Sequence, residues 1–277
     1  VNEIAPPDQL QALTQRWCEA ILRGAPTAIR ASKETAMRGL DEPSLADAIA
    51  NQPTYPAFAA ADDQWICVVT GAGERAFCAG SDLKAAVATG VGQATYPENG
   101  YAGLIERFDL AKPLIAAVNG LALGGGFEIA LASDIILASE TASFGLPEPL
   151  VGAVALGGGV HRLVRQIGVK PAMGMILASR RVSAAEGLAL GFVNEIAPPD
   201  QLPALTQRWC EAILRGAPTA IRASKETAMR GLDEPSLADA IANQPTYPAF
   251  AAWRAGEDVK EGPRAFAEKR PPRWPGR

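Results

Sequence analysis

Histidine is almost absent from this chain, which has a single one, His161, among its 277 residues. That shortage excludes most Ser-His-Asp, Cys-His and multi-histidine metal chemistries. The four cysteines, Cys18, Cys67, Cys78 and Cys210, form no Cys-x-x-Cys pair, and their spacing suits neither a zinc site nor a disulfide framework. We therefore expect buried thiols in a reducing cytoplasm, and carboxylates for any proton transfer.

Long apolar runs and bulk positive charge are also missing. No apolar run reaches about 18 residues, so the sequence predicts no membrane span. The net charge of −4 argues against a nucleic-acid surface built on positive charge. No basic-then-apolar leader opens the chain, so we expect no cleaved secretory signal. The 48% hydrophobic content suffices for one large domain or two small ones.

The chain repeats a long segment. Residues 1–60 and 193–252 are identical except that Gln11 is replaced by Pro203. Solenoid repeats are shorter and recur several times, and independent drift would leave more changes than one. We therefore expect recombination, or an artefact in how the sequence was assembled, rather than a purposeful duplication.

Both copies of the repeat have the apolar spacing of packing helices. In the second copy this spacing predicts a helix through 205–213, a helix over 219–230 and a third that starts near Ser236. Asp200 follows two prolines, and we expect it to cap the first of these helices.

Strands alternate with helices from residue 62 onward, which predicts an α/β fold. Short apolar runs at 65–70, 114–118 and 134–138 are typical of strands buried on both faces. The predicted helices are 84–89, 100–110, one from Phe127, one that follows Gly157-Gly158-Gly159 and runs to Val164, 171–178 and 183–190.

Two of these strands lead into glycine turns. The first reaches Gly80-Ser81, and the second reaches Gly124-Gly125-Gly126 just before a helix. Glycine lets backbone N–H groups approach a ligand closely, and the helix adds its positive dipole end. The Gly125 N–H and a donor from the Gly80-Ser81 turn would together form an oxyanion hole. Each cluster taken alone is equally consistent with a simple tight turn.

Two glutamates have apolar neighbours. Glu128 lies on the first turn after the three glycines, and Glu148 lies between Pro147 and Pro149. Such carboxylates suit general acid–base catalysis, because burial raises a carboxyl pKa toward neutrality. One can hold a proton while the other orients water. Alternatively, Glu128 is only a residue favoured by the helix dipole and Glu148 is simply exposed.

A dinucleotide fingerprint is the main competing motif. Gly71-Ala72-Gly73 follows the first strand and begins a G-x-G-x-x-A match. A helix should open at these glycines, but the turn-like residues 77–82 follow instead. An NAD-binding enzyme therefore stays a weak alternative.

Three motifs in combination resemble the enoyl-CoA hydratase (crotonase) family. Each is unspecific alone, but their order and separation agree with the family, including twenty positions between Glu128 and Glu148. The similarity runs from about Asp62 to the C-terminus. The motifs are Phe77-Cys78-Ala79-Gly80-Ser81-Asp82-Leu83, Asn119-Gly120-x-Ala122-x-Gly124-Gly125-Gly126-x-Glu128 and Phe144-Gly145-x-Pro147-Glu148.

The resemblance implies a spiral of ββα turns, with a helical C-terminal region that makes trimers and then a hexamer as a dimer of trimers. It implies a cytoplasmic enzyme of fatty acid metabolism that acts on an acyl-coenzyme A thioester, without metal or redox cofactor. No nucleic-acid or membrane partner is expected.

The resemblance also assigns roles. The N–H groups of Ser81 and Gly125 would hold the thioester oxygen, while Glu128 and Glu148 would activate water for C3 and protonate C2. The remaining substrate or CoA contacts would come from Ala79, Asp82, Leu83, Lys84, Gly124 and Pro147.

Two glutamates favour reversible hydration of trans-2-enoyl-CoA to 3-hydroxyacyl-CoA. The stretches FEIALASDIILA and SFGLPE also resemble carnitinyl-CoA dehydratases, so the acyl group stays open. Isomerisation of an enoyl-CoA is a further alternative.

The first part of the chain departs from the family, whose members begin with two strands, an Asn-Arg-Pro-like turn and a helix. Here residues 1–60 copy the C-terminal helices, ahead of a catalytic core over 61–192 and a helical region over 193–277. Losing the first strands would expose a sheet edge. We then expect a weakened fold and weaker CoA affinity, which keeps a catalytically impaired acyl-CoA-binding protein open.

Overall fold

The computed structural model describes residues 65–81 and 99–277. The predictions for residues 1–60, the predicted helix at 84–89 and the candidate CoA contacts Asp82, Leu83 and Lys84 lie outside these residues.

Eight short strands form the sheets of the described chain. They are β1 Cys67–Thr70, β2 Ala76–Cys78, β3 Leu114–Val118, β4 Leu121–Leu123, β5 Ile135–Ser139, β6 Ser143–Gly145, β7 Val182–Ser183 and β8 Glu195–Ala197. One sheet has the order β1-β3-β5-β8 and is parallel throughout. The other has the order β2-β4-β6-β7, in which only β7 is antiparallel to its neighbour.

Successive strands alternate between the two sheets. Each of the pairs β1-β2, β3-β4 and β5-β6 puts one strand in each sheet, so the chain advances by one step per pair. Mixed layers of parallel strands and helices confirm the predicted α/β class.

Nine α-helices follow or separate these strands in the described residues. The longest, α6, has 14 residues, and none in this part of the chain combines the length and apolar character that a membrane crossing requires. The helices are α1 Gly125–Ala132, α2 Gly159–Ile167, α3 Val169–Leu177, α4 Ala184–Leu190, α5 Leu202–Leu214, α6 Pro218–Gly231, α7 Leu237–Asn243, α8 Pro248–Ala255 and α9 Asp258–Ala267.

The sequence of β3 is apolar at every position because this strand lies in the middle of its sheet. It lies between β1 and β5, and all five of its residues are buried. Ile115 and Leu137 of β5 pack against Leu205 of α5, and all three are fully buried. Burying each such side chain stabilises the fold by about 1.5–3 kcal/mol relative to exposure.

A cluster of three aromatic rings fixes the start of α1. Phe127, Phe144 and Phe192 have ring centroids 5.2–5.4 Å apart in tilted or edge-on arrangements. Phe127 and Phe144 are fully buried. Because Phe127 directly precedes Glu128, the packing of this ring anchors the position from which Glu128 projects.

Most predicted elements agree with the structure, but three expectations are wrong. The strand predicted at 65–70 is not buried on both faces, because β1 ends its sheet in the described residues and Val68 is 40% exposed. The predicted helix at 100–110 is only a 3-10 turn, Tyr101–Gly103, because Ala102 and Gly103 have φ angles of 57° and 61°, which an α-helix cannot contain. Asp200 is not the cap of α5, which begins at Leu202 with no side-chain cap.

Candidate active site

Glu128 is placed by a close contact between α1 and β2. A Cβ atom on Gly126 would overlap the carbonyl oxygen of Cys78, so only glycine allows the helix to start so close to the strand. Gly124 precedes the helix with a φ of 55°, in the region that glycine adopts readily. The Glu128 side chain on the first turn is only 4% exposed.

A second glycine turn encloses the carboxylate of Glu128. The N–H of Gly159 donates to Oε1 at 2.9 Å. A Cβ on Gly157 would overlap Oε2, and one on Gly159 would lie 2.9 Å from Oε1. The sequence places these glycines ahead of a helix, whose N-terminus favours an anion. It does not show that the anion is the carboxylate of Glu128.

Glu148 lies beside the Gly124 turn. It opens a 3-10 helix, Glu148–Val151, that follows Pro147. A Cβ on Gly124 would lie 2.9 Å from Glu148 Oε1. The other oxygen, Oε2, is buried and has no hydrogen-bond partner among the described residues. The structure therefore brings both predicted glutamates to the same glycine turn.

The pKa values of both carboxyl groups are raised, mainly by burial, but different neighbours oppose the increase. Burial is the main reason that the pKa of Glu128 is raised, and the charge of Glu148 adds to it, while the N–H groups of Gly159 and Gly157 and the charge of Arg162 oppose it. Burial also raises the pKa of Glu148, opposed only by its own backbone N–H. Both side chains therefore hold a proton to a higher pH than an exposed glutamate does.

The two predicted oxyanion donors lie at neighbouring strand ends. β2 and β4 are parallel, with Cys78 opposite Ala122. A Cβ on Gly80 would lie 3.3 Å from the backbone nitrogen of Gly125. Gly125 is the first residue of α1, so its N–H has no partner within the helix. The Gly80-Ser81 turn and the Gly125 N–H therefore lie side by side, as a two-donor site requires.

The ring of Tyr101 lies beside the Gly124-Gly125-Gly126 turn. The sequence analysis did not identify Tyr101 as a residue of the site. A Cβ on Gly125 would lie 2.5 Å from Cε1 and 2.9 Å from Oη of Tyr101, so the ring lies directly against Gly125. The Asn99-Gly100 pair could have indicated a turn rather than a helix here. Nothing local in the sequence shows which residue the Tyr101 ring meets.

The other predicted contacts surround the same turn. Ala79 is exposed and directly precedes Gly80. The Gly124 N–H donates to the Gly145 carbonyl at 3.0 Å, and the Pro147 carbonyl accepts from the Leu150 N–H at 3.0 Å. The backbone around the glutamates is thus tied to β6 and to the 3-10 helix.

The turn at Gly71-Ala72-Gly73 has a structural partner. Asn119 Oδ1 accepts from the Gly71 N–H at 3.0 Å, and Asn119 Nδ2 donates to the Gly73 carbonyl at 2.7 Å. The chain continues into β2 and not into a helix, so this turn lacks the helix N-terminus that a dinucleotide fingerprint needs.

Burial makes the Cys67 thiol a poor nucleophile. Cys67, Cys78 and Cys210 are free and half-buried rather than fully buried as expected, while Cys18 lies outside the described residues. Burial raises the pKa of the Cys67 thiol to about 11, which disfavours the reactive thiolate. Residues 65–81 and 99–277 contain no group of three or more His, Cys, Asp or Glu side chains that could hold a metal ion.

Comparison with known proteins decides the family. The family model described as Enoyl-CoA hydratase/isomerase matches residues 55–277. The chain belongs to the enoyl-CoA hydratase/isomerase family. It is 42% identical over 214 residues to a carnitinyl-CoA dehydratase of Proteus mirabilis, an alignment that covers 76% of this chain and 82% of the relative. A carnitinyl-CoA dehydratase of Salmonella typhi is 41% identical over 223 residues.

Solved structures of this enoyl-CoA hydratase/isomerase family share the fold. An enoyl-CoA hydratase from Bacillus anthracis superposes with a TM-score of 0.75 at 33% identity, over 84% of this chain and 90% of that one. A carnitinyl-CoA hydratase from Mycobacterium avium gives 0.59 at 40% identity, over 83% and 86%. Family membership supports the general hydratase reaction, carried out by a hydro-lyase, on an acyl-CoA thioester.

Replacing Glu148 with Gln is expected to stabilise the protein above neutral pH. Burial raises the pKa of Glu148, so the folded chain binds this proton more tightly than the unfolded chain does. The resulting stability is full below the ordinary carboxyl pKa and is lost as pH rises through the folded pKa. Glu148→Gln removes that loss, and we expect its Tm at about pH 8 to exceed that of the wild type by about 2–4 °C.

Thermal melts followed by circular dichroism at several pH values measure this difference, which should shrink toward about pH 4, near the ordinary carboxyl pKa. Glu140→Gln, at an exposed position, is the matched control and should show no such pH dependence. A Glu148→Gln variant less stable than the wild type throughout would show that the Glu148 carboxylate stabilises the fold.

Proposed function

We propose that this protein catalyses the reversible addition of water to a trans-2-enoyl-CoA, which gives the 3-hydroxyacyl-CoA. The observation that carries the proposal is the position of two glutamates, the buried Glu128 and the half-buried Glu148, beside adjoining glycine turns that present backbone N–H groups. Water addition needs a proton acceptor, a proton donor and hydrogen-bond donors to the carbonyl oxygen. The two glutamates and the backbone N–H groups offer these three functions.

The thioester oxygen is proposed to accept hydrogen bonds from the N–H groups of Ser81 and Gly125. Negative charge develops on that oxygen when a nucleophile adds at C3, because the electrons move through C2 toward the thioester carbonyl. Donors already fixed by β2 and by the start of α1 need no reorganisation as this charge appears. Removing one such donor typically lowers kcat by about 10²–10³-fold.

The two glutamates are proposed to exchange protons with water and with C2. Glu128 as a carboxylate takes a proton from water while the oxygen bonds to C3, and Glu148 as a carboxylic acid gives a proton to C2. One water is consumed, and the reverse steps release it. The hydrogen bond that Glu128 accepts from the Gly159 N–H supports its role as the base, because it orients the carboxylate.

No metal or redox cofactor enters the proposal. The addition moves protons and one oxygen onto a conjugated thioester without any net transfer of electrons to another molecule. Coenzyme A takes part only as the carrier portion of the substrate, and Ala79, Gly124 and Pro147 remain proposed contacts to it. We also propose a cytoplasmic location, in keeping with the family resemblance.

Product analysis in deuterium oxide tests the reaction. With a short trans-2-enoyl-CoA, the proposal predicts a 3-hydroxyacyl-CoA with one deuterium at C2, detected by mass spectrometry and proton NMR. An isomerase would instead shift the double bond without adding water. Binding of the ester with neither product would support a catalytically impaired acyl-CoA-binding protein and would contradict the proposal.

A carnitinyl-CoA dehydratase is the second candidate, because the curated relatives at 41–42% identity bear that name. The trimethylammonium group of such a substrate would suit an aromatic ring, and the ring of Tyr101 lies beside Gly125. The ratio of kcat/KM for dehydration of carnitinyl-CoA and of 3-hydroxybutyryl-CoA separates the two. A ratio above about 10, equivalent to 1.4 kcal/mol, favours the carnitinyl substrate, and a ratio below 1 favours a simple acyl chain.

We also propose that the chain assembles as a homotrimer or as a dimer of trimers. Several large apolar side chains are exposed on the single chain, including Leu156 at 77%, Leu237 at 78% and Phe266 at 88%. Such exposure is typical of surfaces that another subunit covers. Light scattering coupled to gel filtration measures the assembly, and a monomer at micromolar concentration would contradict it.

A further inference from the structure

Arg162 joins two parts of the chain on either side of the candidate site. It lies on the first turn of α2, and its side chain turns back so that Nη1 donates to the carbonyl of Gly157 at 3.3 Å. Nη2 donates to the carbonyl of Ile105. A Cβ on Gly158 would overlap Nη1, so the glycine turn leaves the space that the guanidinium occupies.

The glycine turn held by Arg162 is the one that holds Glu128. The Gly159 N–H donates to the Glu128 carboxylate, and the Gly157 N–H lowers the pKa of that carboxyl. The Ile105 side chain is 3% exposed, and its Cδ1 would lie 3.0 Å from a Cβ on Gly157. Arg162 therefore links the glycine turn to Ile105. The same turn holds the Glu128 carboxylate.

The charge of Arg162 acts on the same carboxylate. Burial lowers the pKa of Arg162, while the charges of Glu128 and Glu106 oppose that effect. The charged groups that face one another here are Glu106 before β3, Glu128 on α1, Glu148 on the 3-10 helix and Arg162 on α2. Of the two candidate catalytic carboxylates, Glu128 is the one whose pKa this cation lowers.

We propose that Arg162 is a positioning residue that holds the Gly157–Gly159 turn, and through it the Glu128 carboxylate, in place for proton transfer. The inference rests on the proposed function, because it assigns the proton-accepting role to Glu128. It goes further in naming the residue that holds the turn around this carboxylate.

A purely structural role for Arg162 is the competing explanation. An arginine that only ties Gly157 to Ile105 would, when replaced, reduce the amount of folded protein or the whole rate without changing its dependence on pH. The proposed role requires an additional effect. Loss of the cation raises the pKa of Glu128, and the acidic limb of kcat/KM, on which the base loses activity by protonation, moves to higher pH.

Three variants separate these explanations. Arg162→Met removes the charge and the hydrogen bonds, while Arg162→Lys keeps the charge and loses the two-pronged geometry. Arg165→Met makes the same change at an exposed position on the same helix and is the matched control. All three are compared with the wild type for Tm, for kcat/KM against pH, and for the carboxyl titration of Glu128 by ¹³C NMR of labelled glutamate, assigned with Glu128→Gln.

We expect Arg162→Met to lower kcat on the order of 100-fold at neutral pH, the cost of a small misplacement of a catalytic group. The acidic limb of its kcat/KM profile should lie at higher pH than that of the wild type. Arg162→Lys should return this limb to the wild-type pH while recovering only part of the rate. The Glu128 carbon signal should titrate at higher pH in Arg162→Met. Because the charges of Glu128 and Glu148 interact, the apparent pKa values taken from the limbs belong to the pair and not to either residue alone.

An unchanged acidic limb and an unchanged Glu128 titration in a folded Arg162→Met variant would overturn the inference. If Arg162→Met does not fold, the Lys variant decides, because it keeps the charge: an acidic limb displaced from that of the wild type would then overturn the inference. The ¹³C titration needs no turnover. A wild type that hydrates no enoyl-CoA would therefore count against the proposed function, while the titration would still test Arg162.

Discussion

Glu128→Gln is expected to lower kcat for hydration by about 10³-fold, within the range that general acid–base catalysis supplies. Glutamine keeps the shape of the side chain and its contact with the Gly159 N–H, but it cannot take a proton from water. Because Glu128 is only 4% exposed, a base dissolved in the solvent has little access to take its place. The assay follows the loss of the conjugated thioester absorbance.

The control for this variant is Glu140→Gln, which makes the same change at an exposed position and should keep wild-type kcat. Circular dichroism and Tm establish that both variants are folded. Wild-type turnover by a folded Glu128→Gln variant would mean that Glu128 plays no part in proton transfer, and the assignment of both glutamates would fail with it.

Gly125→Ala is expected to lower kcat by about 10²-fold or more, the loss that follows removal of one oxyanion donor. The added Cβ would lie 2.5 Å from Cε1 of Tyr101, closer than any stable contact. Either the ring or the start of α1 must move, and the Gly125 N–H moves with the helix start. The change therefore displaces the donor without altering a side chain that carries chemistry.

Two comparisons isolate the cause of this loss. Gly174→Ala adds a methyl group to α3 where no atom lies within 4 Å, so it should leave kcat unchanged and stabilise the helix by up to about 1 kcal/mol. Combining Gly125→Ala with Tyr101→Ala removes the clash, and the double variant should recover part of the rate. A double variant no faster than Gly125→Ala would show that the Tyr101 contact is not the cause.

The sequence predicted the parts of the site that are local in the chain. Gly124-Gly125-Gly126 and Glu128 lie within five positions, so one glycine turn and one helix start determine their arrangement. The continuous apolar run at 114–118 predicted β3, because a strand covered on both faces has no position for a polar residue. Glu148 was a candidate because of its apolar neighbours and flanking prolines, and the family motif then assigned its role.

The parts that were missed depend on contacts between distant segments. Gly157 and Glu128 are far apart in the chain, and neither residue indicates the other until α1 and α2 pack together. Arg162 has the pattern of an ordinary surface position on an amphipathic helix, although its guanidinium reaches Ile105. Tyr101 was assigned to a helix because the apolar spacing of 100–110 outweighed the turn signal of Asn99-Gly100.

The site combines features that work against stability, which is typical of functional positions. Glu148 Oε2 is buried without a hydrogen-bond partner in the described residues, and the charge of Glu148 makes Glu128 harder to ionise. Asn99 and Ala102, which flank Tyr101, have positive φ angles. A fold selected for stability alone would have an apolar residue at Glu148, so the retained carboxylates point to chemistry.

Hydration of a short trans-2-enoyl-CoA by protein whose intact mass matches the full sequence tests the central claim most directly. The account predicts a wild-type rate that falls by about 10³-fold in both Glu128→Gln and Glu148→Gln, with all three proteins folded and binding the ester. Folded wild-type protein that binds the ester but leaves its conjugated absorbance unchanged, for carnitinyl and simple acyl groups alike, would contradict it.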